Sequence, residues 1–423
     1  MRTLVVAQDF PWPVTIGSHL RLAQVIEVAR ELGETDLFCW VPARRHEPCV
    51  LPEALAGVRW ETVVRPPPRL SAARRLRWLT HGGLPLELAA EDATGPRRAF
   101  DRWSADAYDL VWFSKAASFE LLGRPRLGPT VVDLDDLEDE KIRSRLAATA
   151  VDDDEMAGAR LRRGATDRAR RTLGRTLGRT LGRTQARING ARWWRLQRTV
   201  AGACDRVALC SGLDAGRSGL ANVVVVPNGY DAPHPPVGRR EVADPPRLLL
   251  AGNFLYPPNA DAARFLVTEI LPRIRAVRGE VTVRLVGETG EAVDRLARAQ
   301  GVSAAGRVPA MEPELGRADL IVVPVRYGSG TRVKILEGAA HRIPVVSTTL
   351  GAEGLGLEDG RHLLLGDTAD DFAAACLRLL GHSELRRRLV DEAETVFLER
   401  FQWSSVREGI RSLALEVAGK QGP

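Results

Sequence analysis

Two series of short apolar runs, each alternating with amphipathic stretches, constrain this chain more than any other feature. The first series is TLVVAQ, DLFCWV, DLVWF, PTVVDL and DRVALC. Between its first two members lies GSHLRLAQVIEVARELG, where Leu22, Val25, Ile26, Ala29 and Leu32 share one helical face. Short apolar strands joined by helices make a parallel sheet covered on both faces. The alternation stops in the proline-rich stretch NVVVVPNGYDAPHPPVGRREVADPP, which marks a boundary. It then restarts, with RLLLAGN, VTVRLVG, DLIVVPV and IPVVST as strands. NADAARFLVTEILPRIRAV, TRVKILEGAAHR and DDFAAACLRLLG are the helices between and after them. The expected fold is α/β, with two doubly wound domains facing across a cleft. Their expected spans are 1–228 and 229–400, followed by a terminal helix, 401–423, packing back on the first domain.

A chain of 423 residues suits two such cores. No apolar run approaches the ~20 residues of a spanning helix. The opening MRTLVVAQDFPWP has an apolar core of only about four residues, against the ~7–15 of a signal peptide. A cytoplasmic protein is expected. Cys39, Cys49, Cys204, Cys210 and Cys376 form no CxxC pair and no cluster with histidine, so reduced thiols are expected and no metal site.

The net charge of +6 comes from one place, because residues 160–198 hold thirteen arginines and one aspartate. The rest of the chain is mildly acidic, and the high pI does not imply nucleic acid. Within that segment TLGRTLGRTLGRT, 172–184, repeats a four-residue unit with leucine and arginine stripes. Its recurrent glycine costs a helix about 1 kcal/mol each relative to alanine. Two readings stand: a tolerated Arg-rich insertion at about 160–190, or a basic arm, 160–198, for an acidic partner or a membrane surface. Arginine dominates the basic residues elsewhere too. Only Lys115, Lys141, Lys334 and Lys420 are lysines among 60.

The stretch VPVRYGSGTRVKILEG, 323–338, concentrates the chemistry. A buried strand runs into a glycine turn and then a helix, with Thr331 or Ser329 as the expected N-cap. Backbone amides and the positive helix end would gather at 329–333. Gly330 lets a ligand approach the backbone. Arg332 and Lys334 add two cations, which suit a diphosphate. Glu337 lies three residues after Lys334, where it could accept hydrogen bonds from the vicinal hydroxyls of a ribose. The spacing is neither a P-loop nor a dinucleotide fingerprint.

The same stretch, continued through AAHRIPVVSTTLGAEGL, resembles the carboxyl-domain signature of retaining glycosyltransferase family 4, which has the GT-B fold, in its GSGTRxKILE subgroup. FPWPVTIGSHLR resembles that family's glycine loop, PxPxxGxxxR, and VVVVPNGYD its VPNGVD. LLLAGNFLYPPNADAARFLVTEILP resembles the first strand and helix of its nucleotide domain, and FQWSSVREGI its terminal crossing helix. Together these motifs span nearly the whole chain except the Arg-rich segment.

The resemblance implies two Rossmann-like domains and a hexosyl transfer from an NDP-sugar to an acceptor hydroxyl with retention. The NDP-sugar is a co-substrate; no cofactor and no metal are expected. Gly17 and Ser18 match the loop that approaches the diphosphate and the reacting sugar. Arg332 and Lys334 match diphosphate binders and, with Gly17, are expected to be catalytic, the two cations stabilising the leaving diphosphate; Glu337 matches the ribose-binding glutamate, and Arg307 and Val308 the nucleobase position. Asn253 is expected to face the cleft, with Ser329, Gly330 and Thr331 lining the donor site. Ser329 stands where many members carry a first glutamate, and the Arg…Lys pair after the first nucleotide-domain strand is absent. On the acceptor side the candidates are Asp133, Asp135 and Asp136 at the end of PTVVDL, with Asp135 as the catalytic choice, and His19 and Lys115. The alternatives are a catalytically silent GT-B scaffold that binds a partner, and a sugar-nucleotide epimerase or hydrolase.

Overall fold

The computed structural model describes residues 1–14, 17–42, 49–68, 71–148, 169–233 and 241–419. The chain divides into two compact units, Met1–Val226 with Arg407–Pro423, and Pro227–Val406.

In the first unit seven parallel strands form one sheet: β1 (Arg2–Ala7), β2 (Glu34–Pro42), β3 (Arg59–Arg65), β4 (Leu110–Ser114), β5 (Thr130–Asp135), β6 (Arg206–Leu209) and β7 (Val223–Val225). Their order is β3-β2-β1-β4-β5-β6-β7. The central strands are apolar along most of their length because helices cover both faces, and Val5, Phe38, Phe113 and Val132 are fully buried. Helix Gly17–Leu32 packs on one face through Leu22, Val25, Ile26 and Ala29, as its periodicity predicts. Strand order reverses between β1 and β4, which opens the sheet there at the carboxyl ends of its strands.

The second unit repeats the plan with β8 (Arg247–Ala251), β9 (Thr282–Val286), β10 (Val302–Ala304), β11 (Leu320–Val323), β12 (Val345–Ser347) and β13 (Leu364–Leu365). The order β10-β9-β8-β11-β12-β13 reverses between β8 and β11. Helix Pro257–Phe265 runs through a wide turn, Leu266–Ile270, into helix Leu271–Arg278. Pro272 accounts for the widening, because it has no N–H to donate one turn back.

Helix Trp403–Val417 begins in the second unit, and from Arg407 on it groups with the first. There Arg407 donates to Gln24 at 2.8 Å and pairs with Glu27 and Glu31. Within the second unit, Tyr230 N–H donates to the Phe401 carbonyl and Trp403 N–H to that of Tyr230. Gly229 is required beside them: a Cβ there would stand 2.7 Å from the Trp403 ring.

Of the Arg-rich segment, residues 160–168 lie outside the described residues. From Ala169 to Ala201 the backbone is one helix, so the glycine repeat does not interrupt it. Among the described residues no helix is long and apolar enough to cross a membrane.

Candidate functional site

In the second unit the predicted donor residues gather on the loops that follow β8 and β11, at the reversal of strand order. Three neighbouring strand ends there each carry a glycine, and their backbones touch. Gly287 N–H donates to the Gly306 carbonyl at 2.8 Å. A Cβ on Gly287 would fall 2.0 Å from the Gly252 carbonyl oxygen, so no larger residue fits. This contact brings the loop carrying Arg307 and Val308 alongside the β8 loop. Arg307 is exposed and lies 3.6 Å from Glu288, while Val308 packs half-buried on the core.

Lys334 bridges the two loops. Its Nζ donates to Asn259 Oδ1 at 3.2 Å, and the Asn259 amide donates to the Asn253 carbonyl at 2.9 Å. A Cβ on Gly252 would stand 3.2 Å from Lys334 Nζ, so the missing side chain leaves room for the ammonium. Lys334 forms no ion pair among the described residues. Burial, reinforced by the charge of Arg332, pushes its pKa down to about 8. Such a group is stabilised by any anion that reaches it.

Arg332 curls onto its own loop and donates to the Ser329 carbonyl at 2.9 Å. Gly328 and Gly330 hold that loop at φ 111° and 87°, a region that favours glycine. The expected cap is corrected here. Helix Val333–Ala340 starts two residues after Thr331, with Arg332 in an extended conformation at its N-cap and no side chain capping it. The Ser329 and Thr331 hydroxyls are buried and have no hydrogen-bond partner among the described residues. A helix start and two hydroxyls are thus left for something else to satisfy.

One turn on, burial pushes the Glu337 carboxyl up to about 7, against the pull of Lys334 and with the help of Glu312. Burial and then Glu337 and Glu312 also push the Tyr230 phenol up. Tyr230, Glu312 and Asn259 were not among the predicted residues. Asn259 sits inside a quoted motif, but its partner is 75 residues away. Asn253 is exposed, and its side-chain oxygen accepts from Leu255 N–H in a local turn.

The first unit holds the predicted acceptor-side residues at its own reversal. Gly17 opens the helix after β1, with Ser18 and His19 next to it. His19 Nε2 lies 3.2 Å from Asp9. Asp133 is removed from the acceptor-facing set. It is buried, and both its oxygens accept from Arg21, at 2.7 and 3.0 Å. Arg21 also donates to the Val226 carbonyl at 2.6 Å. Burial alone would lower the Arg21 pKa, but Asp133 and Asp135 hold it above the usual arginine range. Lys115 reaches Asp135 at 2.8 Å and Asp136 at 3.8 Å; Lys141 reaches Asp136 at 2.6 Å and Glu138 at 2.8 Å. The aspartates of DLDDLEDE therefore take cationic side chains as partners. Arg21 was legible only as the last letter of the glycine-loop motif.

A family model described as glycosyl transferases group 1 matches residues 245–382. No curated protein matches the chain. Among solved structures, the chain is similar to HepE of Anabaena in complex with UDP and glucose, at 13% identity and a TM-score of 0.63, over 98% of this chain and 100% of that one. It is similar to sucrose-phosphate synthase from Thermosynechococcus elongatus at 14% identity and 0.66, over 99% and 100%. A glycosyltransferase from Rickettsia africae matches at 10% identity and 0.61, over 99% of each chain. The fold is that of GT-B glycosyltransferases, with two Rossmann-like α/β units.

Proposed function

We propose that the protein transfers a hexosyl group from a nucleotide-diphosphate sugar to an acceptor hydroxyl, with retention at the anomeric carbon. One observation carries this reading: Lys334, a desolvated ammonium without an ion pair among the described residues, stands between the two loops where the second sheet opens. A diphosphate placed there would meet Lys334, Arg332, the uncapped start of helix Val333–Ala340 and the Ser329 and Thr331 hydroxyls, with Gly330 allowing close approach. Glu337 would take the ribose hydroxyls, and Arg307, Val308 and Asn253 would border the nucleoside.

As the sugar–phosphate bond breaks, negative charge grows on the diphosphate. Cations and amides fixed in advance stabilise that charge at no cost of reorganisation. Gly17 and Ser18 are assigned to the reacting sugar, and Asp135 to the acceptor hydroxyl. The sugar nucleotide is the co-substrate. UDP is the first nucleotide to try, because HepE holds it. The match to glycosyl transferases group 1 supports the same reaction class.

Thermal shift of the full chain against UDP, GDP, ADP and TDP tests the reading. Stabilisation by one of them, lost in Lys334→Met, is expected. Stabilisation by none would favour a silent scaffold, consistent with serine at 329 and the missing Arg…Lys pair. Binding with hydrolysis but no transfer to any hydroxyl would favour an epimerase or hydrolase.

A further inference from the structure

In the first unit the helical residues 138–148 run beside the carboxyl half of helix Ala169–Ala201. The two come close at Gly190, where a Cβ would stand 3.5 Å from Ile142 Cγ2. Beside that point lies a groove of about 440 Å³, lined by Ile142, Leu146, Ala186, Gly190 and Trp194 on its apolar side. That is the size of a small-molecule site. Trp194 is 44% exposed, although large and apolar. Arg198 lies over its ring at 4.2 Å and donates to the Ser218 carbonyl at 3.1 Å, which fixes the ring before any ligand arrives. Arg143, Arg187 and Arg195 complete the lining. Arg143 is paired with Asp139 and Glu140. Arg187 and Arg195 are exposed and form no ion pair among the described residues. They stand about two helical turns apart with Ala191 midway, so each lies about 6 Å along the axis from the space over Ala191. Ala191 is itself exposed, and its methyl group leaves that space open. The rest of the helix adds to the excess of charge. Arg192 is buried 4.2 Å over the Trp78 ring, and its Nη1 has no hydrogen-bond partner among the described residues. Burial, reinforced by the charge of Arg195, lowers its pKa.

We infer that this groove binds one aliphatic phosphate monoester, its chain along Ile142, Leu146 and Trp194 and its phosphate between Arg187 and Arg195. A phosphate monoester carries about −1.5 to −2 charges near pH 7, which matches two arginines without ion pairs. The planar guanidinium fork suits phosphate oxygens. A carboxylate would offset only one of the two cations, and an uncharged chain neither. Covering the apolar lining and the exposed Trp194 ring is favourable in itself. A bilayer would meet a broad apolar face, whereas a groove between two helices admits a single chain. The groove includes no residue assigned above to the donor or to the acceptor hydroxyl, so it can fill without sugar transfer.

The test is calorimetric titration of the full chain with decyl phosphate, kept below the concentration at which it forms micelles. Saturable binding of one molecule per chain is expected, with inorganic phosphate and the uncharged decyl maltoside each weaker by ~10-fold or more. Ala191→Phe fills the space between the arginines and should weaken binding by ~10-fold. Arg187→Gln combined with Arg195→Gln should weaken it by ~10²-fold. All three positions are exposed, so both variants should melt as the wild type does. Absence of saturable binding overturns the proposal. So does equal affinity for inorganic phosphate or for the uncharged detergent, or wild-type affinity in both variants. Sedimentation with phosphatidylglycerol vesicles separates a site from a surface. If Ala191→Phe and wild type bind the vesicles equally and decyl phosphate does not compete, the arginines serve an anionic membrane surface, and the proposal is overturned.

Discussion

At the reversal of strand order in the first unit, Arg21, Lys115 and Lys141 each sit against a carboxylate. At the corresponding point in the second, Lys334 sits against an amide, and its pKa falls to about 8. The two sheets share an order and differ in how their cations are compensated. Compensated cations hold carboxylates in place and leave little field for an anion. An uncompensated, desolvated one waits for an anion. The same topology therefore carries a charge-compensated cluster in one unit and an uncompensated ammonium in the other, by choice of the residue opposite each lysine.

Breaking the first unit's pairing should have the largest effect, and on stability. Arg21→Met leaves Asp133 buried and unpaired, which typically costs ~3–5 kcal/mol. Denaturant unfolding of the variant checks this, and a loss below ~1 kcal/mol would mean that water replaces the arginine. Breaking the second unit's cation should act on function instead. Lys334→Met is expected to weaken UDP binding and turnover by ~10²-fold while leaving stability equal or higher, because an ammonium with a lowered pKa opposes folding below that pKa. Calorimetric titration with UDP and a melting curve read both sides.

The comparison sharpens if one unit is converted to the pattern of the other. Asn259→Asp would place a carboxylate beside Lys334, as Asp135 stands beside Lys115. It should raise the Lys334 pKa and weaken UDP binding by ~10-fold through repulsion of the diphosphate. Tighter binding in that variant would break the charge argument. The smallest effect is the pH dependence of the wild type. Lys334 is protonated below about pH 8. UDP affinity should fall severalfold as pH rises from about 8 towards 10, and a flat profile would assign the diphosphate to other groups.

Much of this was legible in sequence where apolar runs were long. TLVVAQ, DLFCWV, DLVWF, PTVVDL and DRVALC all became strands, and the proline-rich stretch marks the passage between units. Arg59–Arg65 was missed because RWETVVR is an edge strand, exposed along much of its length. Val302–Ala304 and Leu364–Leu365 are too short to show a period. The site motif was visible, but its cap was misread. Hydroxyls before a helix suggest a cap, whereas two positive-φ glycines and an extended Arg332 delay the helix until Val333. Which carboxylate would be locked was not legible. Asp133, Asp135 and Asp136 look alike in DLDDLEDE, and only the fold brings Arg21 to Asp133 across 112 residues.

Because the chain has four lysines, lysine-selective carbon NMR resolves them individually, and Lys334 is assigned by its loss in Lys334→Met. A pH titration with and without saturating UDP then asks directly which cation the nucleotide meets. The account predicts a Lys334 signal titrating near pH 8 that moves to higher pH when UDP binds, with those of Lys115 and Lys141 unchanged. A Lys334 signal indifferent to bound UDP, or a UDP response at Lys115 in its place, would contradict it.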